Sequence, residues 1–164
     1  MLRHANIEDA EKIIGIYSPY VEKTAISFAY DPPSVSEIKD KIRSSVGRHI
    51  FLVLEIEEEI LGYAYSSMYR ERKAYEQTVE VSVYIHEDEK GKGYGRILMD
   101  ELEKQLREND AVVAIAVISS GNESSSRVFT KMGYTFSGHL PKVGYKFGNW
   151  YGIDHYYKIL QEEA

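Results

Sequence analysis

The amino-acid sequence predicts an α/β (α+β) fold, in which about seven strands form a mixed sheet and four helices lie on its faces. Three observations predict it. Apolar residues recur every three or four positions in several segments, they alternate with polar residues in others, and a glycine-rich run joins a strand to a helix. The expected order is β-α-α-β-β-β-α-β-α-β-β, and its length fits one domain spanning residues 1–164.

The first part of the chain is predicted to form one short strand and two helices. A strand at Leu2–Ala5 leads to Asn6, which is a good N-cap for a helix with apolar residues at helical spacing. A proline-containing link follows, and Ser34 or Ser36 can then cap a second helix that ends at about Val46.

The middle of the chain changes to the period of strands. Ile50–Glu57 and Ile60–Tyr69 are joined by an acidic turn, so we expect a hairpin. Thr78–His86 alternates aliphatic with polar residues, which predicts a fourth strand with two distinct faces.

The last part of the chain alternates again between helices and strands. A helix follows the glycine-rich run, and Ala111–Ile118 is nearly continuously apolar, as expected of a strand covered on both faces. A short helix at Ser124–Met132 and two strands at Tyr134–Tyr145 and Trp150–Leu160 complete the order.

The composition excludes several classes of protein. A net charge of −6 argues against binding to nucleic acid, which usually needs a basic face. The absence of cysteine excludes disulfides, thiolate metal sites and a cysteine nucleophile. No histidine spacing indicates a metal site, no apolar run is long enough for a membrane span, and no signal pattern is visible. We therefore expect a cytoplasmic protein without metal.

The glycine-rich run Lys90-Gly91-Lys92-Gly93-Tyr94-Gly95 is the clearest candidate binding site. A strand, a glycine-rich turn and a helix in succession can present backbone N–H groups to phosphates, although such turns also occur without a ligand. Lys90, Lys92 and Arg96 lie where the helix dipole disfavours cations by ~0.3–1 kcal/mol each. A bound pyrophosphate would reverse that penalty. A P-loop is disfavoured because Arg96-Ile97 follows the last glycine, where Lys-Ser or Lys-Thr is needed.

The chain resembles the GNAT acetyltransferase superfamily, whose signature Gln/Arg-x-x-Gly-x-Gly/Ala follows the fourth strand. Lys90–Gly95 matches this signature with lysine at the first position. Within the superfamily the chain is similar to the phosphinothricin acetyltransferase group, which also acts on methionine sulfone and sulfoximine. Short matches extend along nearly the whole chain, among them Ser27-Phe28, Gly62-Tyr63-Ala64-Tyr65, Tyr69-Arg70-Glu71-Arg72, Thr78-Val79-Glu80, Asn122 and Val143-Gly144-Tyr145-Lys146.

The resemblance implies a mostly antiparallel sheet that opens between the fourth and fifth strands to bind acetyl-CoA. The implied contacts of the pantetheine arm are the backbone of Val83, Tyr84 and Ile85, with Asn122 and Ser125 nearby. The implied pyrophosphate site is formed by the N–H groups of residues 90–95, with Arg96 next to them.

Glu80 is the candidate general base. The strand pattern places it on the polar face, where a solvated carboxylate would also be ordinary. An alkyl ammonium with a pKa of ~10 must lose a proton before it attacks a thioester, and a carboxylate can accept that proton, directly or through water. The resemblance favours the catalytic interpretation.

Arg70, Arg72 and Tyr75 are candidate substrate-binding residues between the third and fourth strands. Arginine binds carboxylate and phosphinate groups through two parallel hydrogen bonds, although a solvated hairpin end would have the same composition. Phe28 and Tyr65 are candidate pocket walls, and either could equally be a core residue.

The predicted function is transfer of acetyl from acetyl-CoA to the primary amine of a small amino-acid-like substrate, by direct attack in a ternary complex. Two alternatives stay open: acetylation of a peptide N-terminus or another amine such as a polyamine, and a non-catalytic acyl-CoA-binding module. Phe129 stands where the superfamily often has a proton-donating side chain, so no general acid is identified. The tyrosine-rich segment from Tyr145 to Tyr157 suggests a homodimer.

Overall fold

The computed structural model describes residues 1–162, and a single seven-stranded sheet contains every strand of this part of the chain. The strands are β1 (Leu2–His4), β2 (Phe51–Ile56), β3 (Glu59–Met68), β4 (Thr78–Ile85), β5 (Val113–Ser119), β6 (Thr135–Lys146) and β7 (Asn149–Ile159). The helices are α1 (Ala10–Lys23), α2 (Val35–Arg43), α3 (Tyr94–Glu108) and α4 (Glu123–Lys131). The order β1-β2-β3-β4-β5-β7-β6 is antiparallel except for the parallel pair β4 and β5. The predicted mixed sheet and element order are confirmed.

The predicted caps form, with one local difference. The Asn6 side chain accepts a hydrogen bond from the Glu8 N–H at 3.1 Å, and the Asp9 carboxylate accepts one from the Asn6 N–H at 2.8 Å. This capping box begins a short 3₁₀ turn, and the α-helix starts only at Ala10. Of the two candidate caps for α2, Ser34 is the cap, accepting from the Glu37 N–H at 3.1 Å.

The core has two parts, one on each face of the sheet. The first part lies under α3 and α4 and includes Leu98, Leu102 and Leu106, which are fully buried. The second part lies under α1 and α2 and includes Ile13 and Phe51. The two helix pairs hold the sheet between them, as the mixed order of elements requires.

The expectation that β5 is covered on both faces is wrong. Its residues Ala114, Ala116 and Ile118 are buried on the α3–α4 face, whereas Val117 on the other face is 37% exposed. The physical reason is that α1 packs on β3 and β4, α2 packs against α1, and within the described chain the core under these two helices contains no residue of β5. The strand is apolar on both faces, but the face that carries Val117 is partly exposed to solvent.

The strands β4 and β5 diverge after a short paired stretch. Parallel pairing joins residues 78–80 to residues 113–115, and within the described chain no pairing continues beyond Glu80, although both strands do. The divergence leaves a gap in the middle of the sheet.

The backbone of β4 offers unpaired polar groups to this gap. The His86 N–H donates to the Leu61 carbonyl at 2.8 Å, so these residues form a hydrogen-bonded pair with β3. Because such pairs alternate along an antiparallel ladder, Val83 and Ile85 turn their N–H and C=O groups away from β3 and toward the gap.

The segment between α1 and α2 is held to the end of β6 by a buried lysine. The side chain of Lys146 is buried, and its ammonium donates to the carbonyl oxygens of Val21 at 2.5 Å, Thr24 at 2.8 Å and Ser27 at 2.7 Å. Its charge lies at the C-terminal end of α1, where the helix dipole favours a cation. This contact fixes the position of residues 24–33 beside the gap.

Candidate active site

A cleft of about 280 Å³ fills the gap between β4 and β5. Most of its walls come from four segments, namely the second half of β4, the glycine-rich turn, β5 and the beginning of α4, and Tyr20 and Ile26 add to them. The predicted cofactor-binding residues that line it are Val83, Tyr84, Ile85, Lys90, Gly91, Gly93, Tyr94, Gly95, Arg96, Asn122 and Ser125. Residues far apart in the sequence thus meet at one place, as the resemblance implies.

The glycine-rich turn leaves the N-terminus of α3 open. Gly91 and Gly93 have φ angles of 79° and 83°, in the left-handed region that favours glycine. Gly93 precedes the helix without a side-chain cap, and the first turn contains no acidic residue. The first intrahelical bond runs from the Ile97 N–H to the Gly93 carbonyl, so the earlier N–H groups of the helix are free for a phosphate. This geometry fits the pyrophosphate of acetyl-CoA.

The three cations near this turn have different surroundings. The Lys90 ammonium lies 4.7 Å from the centre of the Tyr20 ring, at the wall of the cleft. Arg96 also lines the cleft and bonds to Asp100 at 3.1 Å. Lys92 instead forms an exposed ion pair with Glu89 at 2.5 Å and is not among the cleft-lining residues. The structure therefore brings two of the three predicted cations to the cleft.

The end of β4 is fixed by a tyrosine of α1. The Tyr20 hydroxyl donates to the Ile85 carbonyl at 2.5 Å, and burial raises the pKa of Tyr20 to about 12. The hydroxyl therefore remains a donor at neutral pH. With the Ile85 carbonyl occupied, the N–H groups of Val83 and Ile85 are the donors that β4 offers to a ligand.

Asn122 caps α4 at the opposite wall. Its side-chain oxygen accepts from the Ser125 N–H at 3.3 Å, and its amide nitrogen donates to the Ser125 hydroxyl at 3.0 Å. Asn122 is therefore the N-cap of α4, and both residues line the cleft. The cap orients the side chains that the resemblance assigns to the pantetheine arm.

Glu80 lies at the point where β4 and β5 separate. It is the last residue of β4 that pairs with β5, opposite Ile115, and its side chain is half-buried. Burial raises the pKa of Glu80 above its ordinary value, and the positive charge of His155 on β7 opposes that shift. A carboxylate with a raised pKa is a better proton acceptor than a solvated one.

Four tyrosines form a ring cluster beside Glu80. Tyr84 on β4 contacts Tyr17, Tyr20 and Tyr63, with ring centroids 5.1, 5.4 and 5.5 Å apart. Burial raises the pKa of Tyr84 well above its ordinary value, so its phenol keeps its proton. Sequence reasoning missed this cluster, although the spacing of Tyr17 and Tyr20 on α1 and the alternation along β3 and β4 are the signals that could have found it.

The predicted substrate-binding arginines lie away from the cleft. Arg70 and Arg72 are exposed in the connection between β3 and β4, with Arg70 stacked 5.0 Å from the ring of Tyr69 and 6.0 Å from that of Tyr75. Neither arginine nor Tyr75 lines the cleft. The connection leads directly into β4, which begins at Thr78, two residues before Glu80.

Phe129 lines the cleft, whereas Phe28 does not. Phe28, on the segment after α1, packs against Gly144 and lies 6.3 Å from the ring of Tyr151. Phe129 lines the cleft, is buried, and meets the ring of Tyr134 edge to face at 4.9 Å. Phe129 thus presents only carbon to the cleft and offers no proton.

Two further observations concern metal ions and membranes. In residues 1–162 no three or more His, Asp or Glu side chains are grouped so that they could hold a metal ion. Over the same residues, none of the helices combines the length and apolar character of a membrane span.

The chain is similar to known acetyltransferases along nearly its whole length. Residues 2–155 match the family described as the acetyltransferase (GNAT) domain. The chain is 31% identical over 152 residues to phosphinothricin N-acetyltransferase of Streptomyces viridochromogenes, covering 93% of this chain and 83% of that protein. It is 32% identical over 151 residues to the L-methionine sulfoximine/L-methionine sulfone acetyltransferase of Pseudomonas paraeruginosa, covering 91% and 88%.

A solved acetyltransferase structure has the same fold. The GNAT superfamily phosphinothricin acetyltransferase from Sinorhizobium meliloti, in complex with acetyl-CoA, superposes with a TM-score of 0.93 at 30% identity. The match covers 99% of this chain and 89% of that one.

Proposed function

Because the chain belongs to the GNAT acetyltransferase family and is an acetyl-CoA-dependent N-acetyltransferase, we propose that its acceptor is the primary amine of a small amino-acid-like molecule. The acceptors in view are phosphinothricin, methionine sulfone and methionine sulfoximine, which the names of its relatives give as their substrates. The observation that carries the proposal is the position of Glu80 at the point where β4 and β5 separate, one residue before Val81, which lines the acetyl-CoA cleft.

Acetyl-CoA supplies an acetyl group that is activated as a thioester. The free N–H groups at the start of α3 bind its phosphates, and the N–H groups of Val83 and Ile85 bind within the cleft. A donor already in place where negative charge develops on a carbonyl oxygen is worth ~3–4 kcal/mol in measured cases. Val83 is the residue we assign to that role.

Glu80 accepts the proton of the acceptor's ammonium, directly or through one water, which frees the nitrogen lone pair for attack. Direct transfer needs no covalent enzyme intermediate, which agrees with the absence of cysteine from the chain. Phe129 cannot protonate the departing sulfur. A free thiol has a pKa of ~8.5, so the sulfur can leave as a thiolate that water protonates later.

Arg70, Arg72 and Tyr75 are proposed to bind the acceptor's α-carboxylate. Two facts support this assignment: the arginines are exposed rather than held in ion pairs within the described chain, and their segment leads directly to β4 and Glu80. The planar guanidinium group matches a carboxylate through two hydrogen bonds. Phe28 is proposed as a wall on the side of β6.

The substrate assignment is tested by mixing the protein with acetyl-CoA and a panel of amines and measuring free thiol. The panel contains phosphinothricin, methionine sulfone, a tripeptide with a free N-terminus and spermidine. We expect turnover with the first two and loss of turnover in Glu80→Gln. Turnover only with the peptide or spermidine would support the alternative acceptors. Calorimetric binding of acetyl-CoA without turnover on any amine would support a binding module instead.

A homodimer is proposed through the surface of β6 and β7. Apolar side chains are exposed there in a continuous pair of strands, namely Phe136 at 54%, Leu140 at 48%, Tyr145 at 49% and Trp150 at 60%. An aromatic surface of this kind is typical of subunit interfaces. Light scattering should give twice the chain mass, and Trp150→Glu should lower it to one chain. A monomer at working concentration would refute the dimer.

A further inference from the structure

A second cavity, of about 360 Å³, lies between α1, α2 and the face of the sheet on which these helices pack. Its floor is a stack of aromatic rings in which Phe51 lies 5.7 Å from Tyr63 and 5.1 Å from Tyr65. Ile13 and Ile38 add apolar walls. A cavity with an apolar floor and a few polar groups at one end has the character of a small-molecule site.

Tyr65, which lines this cavity, is related to Glu80 through the strand register. Tyr65 pairs with Ser82 across β3 and β4, so Glu80, two residues before Ser82, is the diagonal neighbour of Tyr65 on the same face. Side chains in this relation lie about 7–8 Å apart at most, within reach of one small ligand. Tyr84, which lines the acetyl-CoA cleft, stacks on Tyr63, which lines this cavity, with ring centroids 5.5 Å apart.

The polar end of the cavity is a pair of hydrogen-bond donors. The Lys41 ammonium lies 3.2 Å from the Tyr65 hydroxyl and 4.6 Å from the centre of the Tyr65 ring. Because one of its three protons points at this phenol, the others remain for a ligand. Asp31 and Glu37 also line the cavity and, like Lys41, are exposed, so solvent and salt screen all three charges. Of these three side chains only Lys41 can donate a hydrogen bond to a ligand oxygen.

We propose that this cavity is the subsite for the acceptor's side chain, and that Lys41 and Tyr65 together bind an oxygen-rich group at its end. The proposal rests on the proposed function, because it takes Glu80 as the place of the amine. An anionic group such as a phosphinate gains a charge-assisted hydrogen bond from Lys41, whereas a neutral sulfone gains an ordinary one. The apolar floor accommodates the methylene groups between that end and the amine.

The test separates binding from chemistry by using Glu80→Gln as the background. Binding of phosphinothricin and of methionine sulfone is measured by calorimetry with CoA present, in Glu80→Gln alone and with Lys41→Met or Lys39→Met added. Lys39 is the matched control, because it lies on the same helix but does not line the cavity. We expect Lys41→Met to weaken phosphinothricin at least tenfold and methionine sulfone about threefold, and Lys39→Met to change neither.

Turnover of the same two acceptors by the chain with Glu80 intact distinguishes the two proposals. Lys41-dependent binding without turnover would keep the subsite and overturn the proposed function. Turnover with equal effects of Lys41→Met on both acceptors, or with none, would overturn the subsite and keep the proposed function. Neither binding nor turnover of either acceptor would overturn both. Tyr65→Phe, which keeps the ring and removes the hydroxyl, should weaken phosphinothricin less than Lys41→Met does.

Discussion

The ammonium of Lys146 lies 2.7 Å from the carbonyl oxygen of Ser27, which is 119 residues earlier in the chain. With the bonds to Val21 and Thr24, this contact joins the end of β6 to the end of α1. It also holds the segment that carries Ile26 to the acetyl-CoA cleft and Ala29 to the second cavity. One buried charge thus positions the walls of both.

Replacing this lysine should lower stability strongly. Lys146→Met leaves three backbone oxygens without their donor, and a buried unpaired acceptor costs about 1–3 kcal/mol. We expect a loss of about 3 kcal/mol or more in the free energy of unfolding, measured by urea denaturation. Lys142→Met, an exposed position on the same strand, is the control and should change the value little. A similar loss in both variants would contradict the role given to Lys146.

The two glycines around the start of α3 should differ in their tolerance of a side chain. Gly93 has a φ angle of 83°, so Gly93→Ala strains the backbone by about 1–2 kcal/mol and moves the N–H groups that face the cleft. Gly95 lies inside the helix, where an added Cβ meets its nearest neighbour only at 4.0 Å. Calorimetry should therefore show weaker acetyl-CoA binding in Gly93→Ala and much smaller change in Gly95→Ala. Equal effects would argue against the backbone explanation.

The pH dependence of turnover should report Glu80. Burial raises its pKa, and it must be ionised to accept a proton, so kcat/KM should fall on the acid side at a pH above the ordinary value of ~4.3. His155→Gln removes the opposing positive charge and should move this acid limb to higher pH. An acid limb that stays unchanged in His155→Gln would show that another group controls it.

The same shift has a consequence for stability with a definite sign. With the pKa of Glu80 higher in the folded state, that state binds more protons than the unfolded one in the window above the ordinary value. The free energy of unfolding contributed by Glu80 therefore falls as the pH rises through this window. In Glu80→Gln this contribution should be missing, which urea denaturation at several pH values can measure.

Phe28 and Gly144 should behave as a coupled pair. A Cβ added at Gly144 would lie 2.6 Å from Cδ2 of Phe28, so Gly144→Ala must displace the ring and should destabilise by about 1–3 kcal/mol. Phe28→Leu removes much of the obstacle. A double-mutant cycle should show that the pair together costs less than the sum of the two single changes, whereas simple additivity would exclude the contact.

Local signals in the sequence predicted most of the fold. The alternation in Thr78–His86, the cap at Ser34 and the glycines of the turn are short-range patterns that formed as predicted, whereas the cap at Asn6 begins a 3₁₀ turn before the helix. The resemblance then supplied what spacing could not, namely the divergence of β4 from β5.

Long-range packing explains what the sequence left out. No local pattern shows that Lys146 reaches the end of α1. Nor does any local pattern show that Lys41 donates a hydrogen bond to Tyr65 instead of pairing with Glu37, one turn earlier on the same helix. The exposed face of β5 is a similar case, because coverage depends on where α1 and α2 end rather than on the strand's own residues. Charge alone does not distinguish Lys92 from Lys90. The ion pair of Lys92 with Glu89, which the structure shows, does.

The divergence of β4 from β5 means that the sheet is incomplete in the protein by itself. The N–H groups of Val83 and Ile85 face the gap, and β5 provides no partners for them. A ligand arm with amide groups of its own can act there as a substitute strand. Binding would then slow amide hydrogen exchange along β4. It would also raise the free energy of unfolding by about 2.7 kcal/mol when the ligand exceeds its Kd a hundredfold, and the melting temperature would rise with it. The abundance of acetyl-CoA in the surroundings would thereby set how firmly the enzyme is folded.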